Sequence, residues 1–207
     1  MVKKFKKLAI IPARMGSKRI KNKNLKKLGG KPIVFYSIKQ AIESKIFDKI
    51  HVSTDSTNIA NVVNKLGRFA DFLRPKNLSS DNISLIAVLE YVINKYEAEG
   101  INFDEVWSIL PCSPLLMVND ILKCKKLIQK NKKTVLAVSP YPAPINWSFQ
   151  IKNNKIFKAN EDVIRDSKLS KINSYYDSGQ IYCFPINIIK KKNFSFKKSI
   201  ITYKLPI

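Results

Sequence analysis

The hydrophobic positions of the chain come in two rhythms. Short continuous apolar runs at Leu8–Pro12 and Val106–Leu110 predict strands covered on both faces, and "KIHVSTD" from Lys49 to Asp55 and the run from Thr134 to Ser139 predict two more. Between them apolar residues recur at helical spacing. Val34, Ile38, Ala41, Ile42 and Ile46 follow Pro32, which suits a first helical position. Ile59, Val62, Val63 and Leu66 share a face that Gly67 ends, and Leu85, Val88, Leu89, Val92 and Tyr96 share another that closes at Gly100, with Ser80 or Asp81 as the expected cap. Asp120–Lys130 predicts a fourth helix. Strand and helix alternate over short connections, which implies a mainly parallel sheet with helices on both sides: an α/β three-layer sandwich.

The rhythm breaks at Pro140. "PYPAP" interrupts regular structure, "NWSFQIKNNKIFKAN" predicts a β-hairpin turning at Asn153-Asn154, and "SYYDSGQIYCF" predicts a strand entered through Gly179. No repeat or low-complexity linker divides the 207 residues, of which 45% are hydrophobic, so residues 1–207 read as a single domain with 140–171 as an insertion.

Charge changes the picture less than its size suggests. The formal net charge is +23, which attracts nucleic acid, anionic lipid or phosphorylated small molecules alike. Only Arg14, Arg19, Arg68, Arg74 and Arg165 are arginines, and the lysines are spread along the whole chain as on solvated faces. A basic nucleic-acid-binding protein is the reading from a different functional class, and the lack of interleaved aromatic and Arg motifs speaks against it. Cys112, Cys124 and Cys183 are too few and scattered for a disulfide framework or a zinc site, and His51 is the single histidine, so a reducing compartment is expected. The basic start from Val2 to Lys7 is followed by an apolar run that ends at Arg14, before a signal-peptide core is reached, and no stretch is long enough to span a membrane.

The candidate chemistry lies where the first strand ends. "IIPARMGSKRIKNKN" passes from buried apolar residues to Arg14, Lys18, Arg19, Lys21 and Lys23 around Gly16-Ser17. Ligands of parallel α/β sheets lie beyond the carboxyl ends of strands. Gly16 and Ser17 allow backbone N–H groups to turn toward an oxyanion while the cations neutralise it, a combination suited to a polyphosphate. The spacing is neither the dinucleotide G-x-G-x-x-G nor the P-loop. Charge alone leaves a merely solvated basic loop equally open.

With "VSTD", "LRP", "LSSD" and "LPCSPL" following in this order, the opening motif A-R-x-G-S-K-R and the Lys23-Asn24 beyond it resemble the CMP-sialic acid synthetase (acylneuraminate cytidylyltransferase) family over essentially the whole chain. "YYDSGQIYCF" with Arg165-Asp166-Ser167 is similar to the pseudaminic acid branch, whereas "LPCSPLL" is closer to the sialic and legionaminic acid enzymes. The resemblance implies a Rossmann-like nucleotide-binding sheet and a cytidylyltransfer: the anomeric hydroxyl of an acidic nine-carbon sugar attacks the α-phosphorus of CTP, giving the CMP-sugar and pyrophosphate. Alternatives within the class are N-acetylneuraminate, legionaminate or 3-deoxy-manno-octulosonate as the sugar, or an inactive nucleotide binder.

The resemblance also implies roles. Arg14, Gly16, Ser17 and Lys18 would hold the triphosphate, Lys23 with Asn24 would stand at the α-phosphate, and Lys23 and Arg14 would be catalytic. Arg74 and Asp81 would wall the cytidine, and Ser113, Arg165, Asp177, Gln180 and Tyr182 would meet the sugar. Plainer roles stand beside these: a surface lysine for Lys23, an ion pair for Arg74, core packing for Tyr176 and Tyr182, and a helix cap for Asp55, which ends the second strand. Mg²⁺ is the implied cofactor, but its ligands are unidentified. The family's acidic D-I-D-[ST]-x-x-D segment finds no counterpart before "YKLPI", so a weakened metal site is expected, in a shortened chain or a reduced relative. A cytoplasmic homodimer, paired through 140–171, completes the expectation.

Overall fold

The computed structural model describes residues 6–17, 19–67, 69–143, 145, 148–158, 174–191 and 200–206. Along the chain lie β1 (Lys7–Pro12), β2 (Lys27–Leu28), β3 (Lys31–Pro32), α1 (Ile33–Glu43), β4 (Lys49–Ser53), α2 (Thr57–Gly67), α3 (Leu85–Ala98), β5 (Glu105–Ile109), α4 (Val118–Asn131), β6 (Thr134–Pro140), β7 (Phe149–Lys152), β8 (Lys155–Lys158), β9 (Tyr175–Pro185), α5 (Ile186–Ile189) and β10 (Ile200–Lys204). Six strands form one sheet in the order β10-β6-β9-β5-β1-β4, and β9 alone runs antiparallel to its neighbours. The expected three-layer α/β sandwich is present.

Period-two alternation along β1 divides the core. Ala9 and Ile11 point to the side of α1, α2 and α4, where they meet Ile38, Ile59, Val63, Ile121 and Ile128. Leu8 and Ile10 point to the other side, against Leu89, Val92 and Ile93 of α3 and Ile189 of α5. All four β1 side chains are fully buried, and burial of each Ile or Leu contributes about 1.5–3 kcal/mol.

Two of the helical positions expected in the core are exposed. Ile42 and Leu66 are 46% and 41% exposed, because Val34, Ile38 and Ala41 on α1 and Ile59 and Val63 on α2 already fill the stripe facing the sheet. The cap of α3 also differs from expectation. Ser84, extended at φ −67° and ψ 152°, accepts the Ala87 N–H through its hydroxyl, so the helix starts after Ser84 and Ser80 and Asp81 lie on the approach to it.

The insertion turns where its asparagines permit. Asn153 and Asn154 both take positive φ (51° and 59°), the requirement of a tight hairpin joining β7 to β8. Gly179, expected at the entry of the last long strand, lies inside β9 at φ 61°, beside a register shift between Leu136 and Val138 of β6.

β1 is flanked by β5 on one side and β4 on the other. The chain leaves β1 through α1 toward β4 and returns through α3 on the opposite face to reach β5. This reversal opens a crevice beyond the carboxyl ends of β1 and β5, and the basic loop enters it.

Candidate active site

The basic loop is tied at several points. Ala13 N–H donates to Ser53 O at 2.9 Å and Met15 N–H to Asp55 Oδ1 at 2.9 Å, which extends the β1–β4 seam past both strand ends. Ser17 N–H turns back to Met15 O at 2.8 Å, so the Ser17 amide expected to face an oxyanion is engaged within the loop itself. Asn22 adopts a left-handed conformation (φ 54°) and starts a single 3₁₀ turn over Lys23–Leu25. The buried Asn24 then clamps two loops: its Nδ2 donates to Arg14 O at 2.7 Å, and its Oδ1 accepts from Cys112 Sγ at 3.5 Å in the loop after β5. Asn24 therefore lines the crevice with its amide already engaged at both ends.

The segment from Arg74 to Ser84 forms the facing wall. Arg74 is anchored by its own N–H to Thr54 O at 2.7 Å, and its side chain is 4% exposed. Its Nε and Nη2 are buried without a protein acceptor. Burial pulls the Arg74 guanidinium below its ordinary pKa, the carboxylate of Asp55 opposes that shift, and the positive charge of Arg14 reinforces it. Arg14 crosses the crevice, with Nη1 on Ser79 O at 3.2 Å and Nη2 in an ion pair with Asp81. Asp81 is thus drawn to Arg14 rather than to the start of α3.

Together these walls enclose a cavity of about 560 Å³. Arg14, Ser17, Lys23, Asn24, Arg74, Asp81 and Tyr182 line it, with apolar contributions from Leu85, Val88 and Leu110. Seven of the residues singled out in the sequence are therefore brought to one place. Gly16 is not on the lining, though a Cβ there would meet nothing within 4 Å. Lys18 and Arg165 lie outside the described residues.

The residues expected to meet a sugar are more dispersed. Tyr182 reaches the cavity floor from β9 and donates its hydroxyl to Asp177 Oδ2 at 2.7 Å; burial and this hydrogen bond push its pKa well up. Asp177 is further fixed by Gly179 N–H on Oδ1 at 2.9 Å. Gln180 contributes its carbonyl to Leu110 N–H at 2.9 Å, and neither it nor Asp177 is on the lining. Ser113 is 3% exposed, off the lining, with its Oγ unpartnered.

Two contributors had no individual role assigned from the sequence. Arg19 lines the cavity, and its place in the basic loop was the available signal. Asp55 holds the loop, but an Asp before a helix reads equally as a cap. In the structure Ser56 takes that role, accepting the Ile59 N–H at 3.3 Å.

The fit of Mg²⁺ can be tested on the donor set. Mg²⁺ is bound through carboxylates and substrate phosphates. Of the carboxylates beside the cavity, Asp81 pairs with Arg14 and Asp55 accepts from Met15, and no cluster of three His, Cys, Asp or Glu exists among the described residues. The described residues do not fit a protein-held Mg²⁺ site.

A cationic, half-apolar cavity at a topological reversal suits a nucleotide, and comparison of the sequence places it in a family. The sequence model described as "Cytidylyltransferase" matches residues 8–203. The chain belongs to the cytidylyltransferase family. It is therefore a CTP-dependent nucleotidyltransferase by family. This cytidylyltransferase is 35% identical to the pseudaminic acid cytidylyltransferase of Campylobacter jejuni over 98% of its own length and 88% of that protein. It is 31% identical to the CMP-N,N'-diacetyllegionaminic acid synthase of Legionella pneumophila, covering 90% and 82% of the two chains. Among solved structures, a CMP:2-keto-3-deoxy-manno-octonic acid synthetase complexed with CTP superposes with a TM-score of 0.71 at 16% identity over 97% of this chain and 90% of that one, which establishes the shared fold.

Proposed function

We propose that this cytidylyltransferase joins CTP to an acidic nine-carbon sugar, pseudaminic acid or a related nonulosonic acid. The observation that carries this reading is Arg74: a buried guanidinium with two donors unpartnered at the wall of a cavity shared with Arg14 and Lys23. Such a group is costly to bury unless a ligand supplies acceptors, and a cytidine edge or its phosphates do so.

In the reaction the anomeric oxygen forms a bond to the α-phosphorus as the bond to the bridging oxygen of the β-phosphate breaks. The hydroxyl proton passes to solvent as pyrophosphate leaves. Phosphoryl-type transfer depends on alignment and charge stabilisation. Arg14, Ser17 and Lys18 grip the triphosphate, and Lys23 meets the charge developing at the α-phosphate. Arg74 and Asp81 wall the cytidine. Tyr182, held by Asp177, meets the sugar, and Ser113, Arg165 and Gln180 are proposed as its further contacts. The family implies Mg²⁺, but no step is routed through it because the described residues offer no site for it.

Residues 1–207 act as one nucleotidyltransferase unit in the cytoplasm, where CTP is made. No helix among the described residues is long and apolar enough to cross a membrane. The β7–β8 hairpin exposes Phe149, Ile151 and Ile156 on one face, and a second copy of the chain is the proposed cover. Light scattering should give a dimer that Ile151→Glu dissociates.

The deciding experiment is pyrophosphate release with CTP, Mg²⁺ and a panel of nine-carbon sugars. Release with pseudaminic acid is expected. Turnover of legionaminic or N-acetylneuraminic acid instead moves the assignment within the class, as the Legionella relative and the segment Leu110–Leu116 allow. CTP binding without turnover of any sugar overturns it.

A further inference from the structure

Arg14 is held by its flanks. The N–H groups on either side of it, those of Ala13 and Met15, donate to Ser53 O and Asp55 Oδ1, and its own carbonyl accepts from Asn24. Among these, the Asp55 carboxylate is the one charged acceptor. Asp55 has no capping duty, since Ser56 accepts the Ile59 N–H through its hydroxyl and the Ala60 N–H through its carbonyl. The adjacent Thr54 carbonyl anchors the Arg74 backbone, so three consecutive residues at the end of β4 fix Arg14 and Arg74, two of the three arginines that line the cavity. Yet Arg74 Nε and Nη2 remain unpartnered, and Asp55 makes no hydrogen bond to them.

We propose that Asp55 is a positioning residue: it pins the basic loop through Met15 so that Arg14 faces the cavity, and its charge offsets that of Arg74 without occupying the donors a ligand needs. A carboxylate in a bidentate pair with Arg74 would stabilise the cation equally but block it. A neutral residue would leave the buried cation unbalanced. With one oxygen committed to a backbone N–H, Asp55 balances the charge at a distance.

The test compares Asp55→Ala with Asp55→Asn in the full chain. The carboxamide oxygen of Asn still accepts from Met15 N–H but carries no charge, so the two variants separate the roles. Asp55→Ala should speed amide exchange at Met15, followed by NMR, by roughly tenfold or more, and lower kcat by about tenfold. Asp55→Asn should recover most of that kcat and keep Met15 protected. Asp55→Asn should also lower Tm in the native background but not beside Arg74→Met, a coupling that an ordinary surface carboxylate does not show.

Unchanged Met15 exchange and kcat in Asp55→Ala overturn the proposal, as does an Asp55→Asn no better than Asp55→Ala. If Asp55→Ala does not fold, fast Met15 exchange in Asp55→Asn, or equal Tm losses in both backgrounds, overturns it instead. The kcat readout rests on the cytidylyl-transfer reading above, whereas exchange and Tm do not. A native chain without turnover therefore sinks that reading and leaves Met15 to decide this one.

Discussion

Arg14 and Asp81 meet across the cavity, one from the loop after β1 and the other from the approach to α3, and Ser79 O accepts the second guanidinium nitrogen. The pair joins the two walls. Both side chains are about one third exposed, so an ion pair of this kind contributes only about 0–1 kcal/mol to folding. Asp81→Asn should therefore leave Tm within a few degrees while raising KM for CTP several-fold, because Arg14 loses its tether and the nucleotide wall loses an acceptor. An unchanged KM removes Asp81 from the wall.

Lys23 lines the cavity at the head of the 3₁₀ turn, close enough to Cys112 for its charge to oppose the upward shift that burial imposes on that thiol. Lys23→Ala should lower kcat by about 10²–10³-fold while CTP affinity, measured by calorimetry, changes by less than about threefold. Equal losses in affinity and turnover would place Lys23 among the ground-state phosphate contacts.

Arg74 predicts a conflict between stability and binding. Its buried guanidinium, with Nε and Nη2 unpartnered, is unfavourable for folding, so the apolar, unbranched Arg74→Met should raise Tm, in line with gains of roughly 1–4 kcal/mol when buried ions are replaced by apolar residues. The same variant should raise KM for CTP by ten- to a hundredfold. A variant that is destabilised with its KM intact marks Arg74 as purely structural.

His51 sets a pH limit on stability. Burial lowers its pKa from 6.5 to about 4; Asp71 pulls it up, and Lys49 adds to the lowering. Its Nδ1 faces Tyr96 Oη at 3.1 Å, and its Nε2 is buried without a partner. Between pH 6.5 and 4 the unfolded chain binds a proton that the folded chain refuses, so stability is full above 6.5 and falls as pH drops through this window, by up to roughly 3 kcal/mol. Burial works to raise the pKa of Asp71, but hydrogen bonds from Lys49 and Tyr96 hold it below 3.8, so its loss adds only at lower pH. Thermal unfolding from pH 7 to 4 should show the decline in the native chain and a flatter profile in His51→Gln; parallel profiles discount His51.

The layered fold was legible because it is written in local pattern. β1, the helical stripes and the Asn153-Asn154 turn each follow from neighbouring residues alone. What escaped depends on partners far along the chain. Asn24, expected beside a phosphate, is engaged by Arg14 and by Cys112, which is 88 positions distant. Asp81 satisfies the pattern of a cap, but Arg14 competes for it from 67 positions away. The strand rhythm also could not say that β9 would lie between β5 and β6, because order within a sheet depends on long-range pairing. At the site, the basic loop was conspicuous by charge, whereas Asp55 was hidden by a position that fits two roles.

That placement of β9 bears on how the molecule is made. β4, β1 and β5 form one slab and β6 with β10 another, and among the described residues the pairing that joins them runs through residues 175–185 alone. As synthesis proceeds from the amino end, every residue of the proposed nucleotide pocket except Tyr182 emerges before that ladder can close. Until it does, the inner edges of β5 and β6 are open to pairing with other chains. A nascent chain halted before Tyr175 would carry most of the proposed phosphate contacts on a three-stranded half of the sheet, with β6 still lacking both its neighbours, which makes the interval before β9 is threaded a period of danger from aggregation.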